Sequence, residues 1–191
     1  SRYVRVPARS SEGNDASSAS ASLVNPSYEP GEGMTEKIAV SLEVNGTRHS
    51  LRVEPRRTLA DALRTEFGLT GVHLGCEQGV CGTCTVLVDG LPVRSCLLFA
   101  VQCEGNEIMT VEGLADGHRL HPLQEAFWEH HGLQCGFCTP GFLMLAAGAL
   151  AEEPQADTER LREILSSNLC RCTGYQNILK AVEAAAVRMR S

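Results

Sequence analysis

Nine cysteines in 191 residues constrain this chain more than any other feature of its sequence. Three of them, Cys76, Cys81 and Cys84, lie in one short string, GCEQGVCGTC, and Cys96 follows. The spacing C-x4-C-x2-C with a distant fourth cysteine matches plant-type [2Fe–2S] ligation. Three thiolates on one tight loop can wrap a small cluster while the fourth reaches in from a neighbouring strand. Gly75, Gly79 and Gly82 allow the unusual dihedrals that bring backbone N–H groups toward sulfur. Such donors matter because a thiolate-ligated cluster is anionic and becomes more so on reduction. The departure is that Cys96 follows Cys84 more closely than in plant ferredoxins. A structural zinc with four cysteine ligands is the alternative, but three cysteines on one loop are not the paired-knuckle layout that zinc prefers.

Four further cysteines, Cys135, Cys138, Cys170 and Cys172, sit in QCGFCTPG and LCRCTGY. Aligning Cys138 with Cys172 reveals a weak internal repeat, each cysteine preceding a threonine and then an apolar helical segment. Thr139 and Thr173 are suited to N-caps and Pro140 to the first helical position. Both cysteine pairs are therefore expected at helix N-termini related by a local two-fold axis, where helix dipoles favour an anionic cluster. Taken alone, CxxC with CxC suits zinc as well as iron. Beside the first motif, a second [2Fe–2S] centre follows. Cys103 lies outside both sets and is expected to be a packed, structural thiol.

The remaining pattern divides the chain. Residues 1–35 hold eight serines and three prolines with little apolar periodicity, and are expected to form an extended arm lying on a partner subunit. From Glu36 the pattern alternates: Ile38, Val40, Leu42 and Val44, a turn at Asn45-Gly46, then Leu51 and Val53 up to Pro55. Thr58 and Asp61 resemble a capping box for a helix carrying Leu59, Leu63 and Phe67, closed by Gly68. Val86 and Val88, a turn at Asp89-Gly90, Val93, and Ile108 to Val111 complete a hairpin, helix, hairpin, strand order. That is the order of a β-grasp sheet in the α+β class.

Beyond Gly113 helical spacing takes over. A first helix carries Leu123, Phe127 and Trp128 through His131 and is closed by Gly132. The second carries Phe142, Leu145 and Ala149. Thr158 with Arg160 to Leu165 suggests the third, and the fourth carries Ile178, Ala181, Val182 and Ala185. Trp128 and the Phe142–Leu145 stripe are expected in the core, and Glu152-Glu153 in a solvated turn. The six histidines show no metal-ligand spacing, and Arg171 either tunes a cluster by its charge or faces a partner. The expected units are residues 1–35, 36–112 and 113–191.

Composition removes other classes. With 17 basic and 23 acidic side chains, one Trp, three Tyr and five Phe, the chain is poorly equipped to grip nucleic acid. Its strongest apolar run, Gly141 to Ala151, is too short for a membrane span of about 20 residues. No apolar secretory h-region is visible at the N-terminus, so a cytoplasmic location is expected and a disulfide framework is not.

Both cysteine strings, in this order and spacing, resemble the small iron–sulfur subunit of the molybdenum hydroxylase (xanthine oxidase) family, over about residues 36–186. The resemblance implies a β-grasp plant-ferredoxin-like domain followed by a four-helix [2Fe–2S] domain. It implies a large partner subunit carrying a molybdenum–pyranopterin cofactor and a medium one carrying FAD, in a heterotrimer that doubles into a dimer of heterotrimers. Carried over, Cys76, Cys81, Cys84 and Cys96 would ligate the cluster facing the flavin, and Cys135, Cys138, Cys170 and Cys172 the one facing molybdenum. Gln134 and Cys172 would approach the pterin. No catalytic acid, base or nucleophile is expected on this chain, whose role would be one-electron relay from molybdenum to FAD. A freestanding two-cluster ferredoxin-type electron carrier is the alternative.

Overall fold

The structure is a computed structural model that describes residues 36–190, and the expected arm lies outside those residues. Strands β1 (Ile38–Val44) and β2 (Thr47–Val53) form an antiparallel hairpin pairing Val44 with Thr47 and Ile38 with Val53. Asn45 and Gly46, at φ 48° and 75°, make the left-handed turn that the strand twist requires. Helix α1 (Leu59–Thr65) starts where Thr58 Oγ1 accepts from Asp61 N at 3.1 Å. It is shorter than the sequence predicts: Phe67 falls outside it, against the core, and Gly68 takes φ 68°. Strands β3 (Thr85–Val88) and β4 (Leu91–Arg94) pair through the Asp89-Gly90 turn.

Strand β5 (Glu107–Met109) runs parallel to β1 and antiparallel to β3, giving the order β2-β1-β5-β3-β4. It is also shorter than expected, because Val111 begins a 3-10 turn over Val111–Gly113. Val40, Leu42, Val44, Val86 and Ile108 from the sheet meet Leu59 and Leu63 of α1, all 3% exposed or less. Alternation therefore buries one sheet face under one helix, the β-grasp arrangement.

Helices α2 (Pro122–Glu129), α3 (Thr139–Glu152), α4 (Thr158–Leu165) and α5 (Gln176–Arg190) form the second core. Helix α3 is buried along Gly141–Leu150 on every side, as its uninterrupted apolar run requires. It is wedged between its sister helices and the sheet: Leu87 of β3 belongs to the helical core. At Gly148 a Cβ would stand 2.8 Å from the Pro92 ring and 2.9 Å from Leu87.

Several expectations fail locally. Trp128 is 78% exposed, because α2 turns Leu123, Ala126 and Phe127 inward and position 128 falls off that stripe. His131, not Gly132, takes the left-handed conformation after α2 (φ 52°), while Gly132 lies where a Cβ would stand 3.0 Å from the Phe127 ring. Glu153 is more than a solvated turn: Arg160 binds it at 2.6 Å, ties the α3 end to α4, and holds its carboxyl below the usual range. Cys103 is 2% exposed in the β-grasp core, as expected of a packed thiol. No helix among the described residues is long and apolar enough to cross a membrane.

Candidate metal centres

The β-grasp set hangs on the loop between α1 and β3. Cys76 Sγ accepts from the Gln78 and Cys81 amides, both at 3.4 Å. Those donors, Cys81 first and then Gln78, pull the Cys76 thiol down to about 7. The loop can point two amides at one sulfur because Glu77 and Gly79 both take positive φ, 52° and 78°. Cys84 and Cys96 lie deeper, 2% and 8% exposed, as members of the hydrophobic core. Burial, then the adjacent Cys84, push the Cys96 thiol up to about 11, with a smaller contribution from Cys76. The Ser95 hydroxyl and amide both donate to Cys84 O, at 2.6 and 3.3 Å, fixing Cys96 beside it.

The helical set is more open. Cys135 and Cys172 are exposed, with their sulfurs 3.5 Å apart. Cys138 and Cys170 are half-buried, and burial followed by the Cys170 thiol pushes Cys138 up to about 12. Cys170 Sγ is 3.1 Å from Thr173 Oγ1 and 3.4 Å from Thr173 N. The capping expectation is corrected here. Cys138 itself is the N-cap residue of α3, with Thr139 inside the first turn, its buried hydroxyl without a partner. Helix α5 begins only at Gln176, because Gly174 and Tyr175 take positive φ (65° and 67°) and interpose a turn after Cys172. Only the first cysteine pair therefore abuts a helix N-terminus.

Each set of four thus resolves into two neighbouring pairs: Cys76 with Cys81, Cys84 with Cys96, Cys135 with Cys172, and Cys138 with Cys170. Among the described residues no three His, Cys, Asp or Glu side chains close around a single ion position. A tetrahedral zinc needs four donors converging on one point. A binuclear cluster takes two thiolates per iron, which suits thiols grouped in pairs with amides aimed at sulfur. Burial is the main cause of the upward shifts at Cys96 and Cys138, with a neighbouring thiol second, and metal binding would displace those protons.

The two sets meet across a seam that sequence reasoning did not anticipate. Leu169 N donates to Cys81 O at 2.9 Å, and buried Asn168 donates its Nδ2 proton to Gly82 O at 3.2 Å. Arg94 bridges Thr85 Oγ1 (2.7 Å) and Ser167 O (2.9 Å). His73 donates through Nδ1 to Phe137 O at 2.7 Å and stacks on that ring, centroids 4.8 Å apart. Gly82, at φ 74°, is held so close that a Cβ would stand 1.9 Å from Asn168 Oδ1. At Gly141 a Cβ would meet Gly82 O at 2.2 Å. Between the sets lies a cavity of about 320 Å³, lined by Cys76 and Cys81 on one side and Cys135, Cys138 and Cys172 on the other, with Arg171 at its wall. Tyr175 lies inside the second cysteine string and Asn168 immediately before it, so their proximity to the ligand candidates is legible in the sequence. Arg94 and His73 carry no such local signal. Gln134 is exposed beside Cys135.

Residues 42–110 match the 2Fe-2S iron-sulfur cluster binding domain and residues 110–183 the [2Fe-2S] binding domain. The nicotine 6-hydroxylase small subunit of Paenarthrobacter nicotinovorans is 56% identical over 148 residues, covering 78% of this chain and 89% of that one. The caffeine dehydrogenase subunit gamma of Pseudomonas sp. (strain CBB1) is 54% identical over 150 residues, covering 77% and 90%. A crystal structure of quinoline 2-oxidoreductase from Pseudomonas putida 86 superposes with a TM-score of 0.78 at 52% identity, covering 82% of this chain and 98% of that chain. The chain belongs to the family of small iron–sulfur subunits of the molybdenum hydroxylases.

Proposed function

We propose that this chain relays electrons, one at a time, between a molybdenum–pyranopterin centre on a large subunit and FAD on a medium subunit. The domain limits of this reading are residues 36–112 and 113–191. Cys76, Cys81, Cys84 and Cys96 hold the cluster facing the flavin, and Cys135, Cys138, Cys170 and Cys172 hold the one facing molybdenum. When bound, each [2Fe–2S] group takes up and gives back a single electron. The chain's own residues position, insulate and tune. Burial of Cys84 and Cys96 excludes water from half of the first set. The exposed pair Cys135 and Cys172, with exposed Gln134, is left for a partner to cover, consistent with these residues meeting the pterin.

The observation that carries this reading is the hydrogen bond from Leu169 N to Cys81 O. It joins a ligand of one set to the neighbour of Cys170 in the other, a short covalent and hydrogen-bonded path. Exposure of Cys135 and Cys172 would equally serve a freestanding carrier; the relatives named above, a small subunit and a subunit gamma, support the subunit reading. Substrate chemistry then belongs to the large subunit. A cytoplasmic heterotrimer, paired into a dimer of heterotrimers, completes the reading. Purification of the chain from its native host tests it. Copurification with one flavin-containing and one molybdenum-containing subunit in equal amounts is expected, whereas a free, coloured monomer would support the carrier instead.

A further inference from the structure

We propose that the Thr173 hydroxyl donates a hydrogen bond to the Cys170 sulfur and thereby raises the reduction potential of the helical-domain cluster. The proposal rests on the reading of Cys170 as a cluster ligand. Thr173 Oγ1 is 3.1 Å from Cys170 Sγ, and the Thr173 amide reaches the same sulfur at 3.4 Å. A cluster-bound thiolate has no proton and can only accept. Tyr175 N donates to Thr173 Oγ1 at 3.2 Å, which uses the oxygen as acceptor and leaves its proton for sulfur.

The turn that makes this possible is held under tension. Tyr175 sits at φ 67°, a conformation that is costly for a bulky residue and persists only where its surroundings hold it. Its phenol supplies that fixing: it accepts from Cys170 N at 2.9 Å and donates to Asn168 O at 3.1 Å. Its ring meets Phe142 edge-on, centroids 6.0 Å apart. Tyr175 therefore clamps both ends of the segment that presents Thr173 to Cys170.

A second threonine shows why the contact distance alone is not enough. Thr83 Oγ1 lies 3.3 Å from Cys81 Sγ, much like Thr173 from Cys170. Yet the Thr83 hydroxyl donates to His73 O at 3.1 Å, so its single proton is committed to a carbonyl. The two hydroxyl–sulfur contacts are chemically inequivalent. Reduction adds negative charge at the cluster, and an O–H donor at a ligand sulfur stabilises the reduced state more than the oxidised one.

An EPR-monitored redox titration of the assembled complex tests this. In Thr173→Val the potential of one [2Fe–2S] signal should fall while the other stays put. Thr173→Ser should restore the natural value, and Thr83→Val should move neither. A fully loaded Thr173→Val complex titrating at the natural potential, or a Ser variant falling as far as Val, overturns the proposal. If Val impairs iron loading, pulsed EPR of the natural complex and Thr173→Ala in H2O and D2O replaces the titration. An exchangeable proton coupled to the helical-domain cluster should be present in the former and missing in the latter. Its persistence in Thr173→Ala is equally fatal. Full iron content in Cys170→Ser would overturn the ligand assignment itself, which unmoved potentials in loaded variants would not.

Discussion

Cys84 and Cys96 are part of the β-grasp core, whereas Cys135 and Cys172 stand exposed on loops that only begin where helices end or start. The first set is anchored by strand and 3-10 geometry, with Ser95 locking Cys84 to Cys96. The second depends on two turns, one leading into α3 and one delaying α5 until Gln176. The difference is that the first set is half shielded by its own domain, whereas Cys135 and Cys172 of the second are open to solvent. It also predicts a difference in what each cluster does for folding. Replacing Cys84 or Cys96 should unsettle a core, and replacing Cys135 or Cys172 should leave one intact.

The largest effects break that comparison directly. Cys84→Ser and Cys135→Ser should each abolish one of two EPR signals and remove about half of roughly four irons per chain. In thermal unfolding, Cys84→Ser should lower the midpoint further, because its side chain is 2% exposed and sits among apolar neighbours. Equal losses of stability in both variants would erase the distinction between the sites. A smaller effect is expected at the seam. Gly141→Ala places a Cβ 2.2 Å from Gly82 O and 2.9 Å from Thr83 Cα, backbone atoms that cannot swing aside. A cost on the order of 1–3 kcal/mol is expected by denaturant titration, with both EPR signals perturbed because the seam serves both sets. Perturbation of only one would mean that the loops are mechanically independent.

Much of this molecule is written locally. The Asn45-Gly46 and Asp89-Gly90 turns, the Thr58 cap and the alternation in β1 each depend on a few adjacent residues, and the structure keeps them all. The cysteine spacing is local in the same sense, since three ligand candidates share one loop. What escaped the sequence depends on distant partners. Arg94 and Ser167 are 73 positions apart, and His73 and Phe137 are 64 apart, so no window of sequence places them together. Trp128 differs for another reason: apolar character does not imply burial where the α2 stripe of Leu123, Ala126 and Phe127 already fills the inward face. At Thr173 the hydroxyl faces the Cys170 sulfur instead of capping α5, whereas at Thr139 the N-cap falls one residue earlier, on Cys138. Glu153 reads locally as a turn residue because its partner, Arg160, lies across the α3–α4 loop.

The smallest expected effect concerns that exposed tryptophan. Trp128→Ala should change the stability of the chain by no more than about 0.5 kcal/mol, since a side chain 78% exposed gives up little burial on folding. A loss of several times that would place Trp128 in a packing role that its exposure denies.

In the proposed relay, eight thiols in four pairs hold two separate [2Fe–2S] clusters. Metal and labile-sulfide analysis of the complex, combined with EPR after reduction, tests it most directly. About four iron and four sulfide assignable to this chain, with two distinguishable signals, is the expected result. Stoichiometric zinc, or a single signal with about two irons, would contradict it.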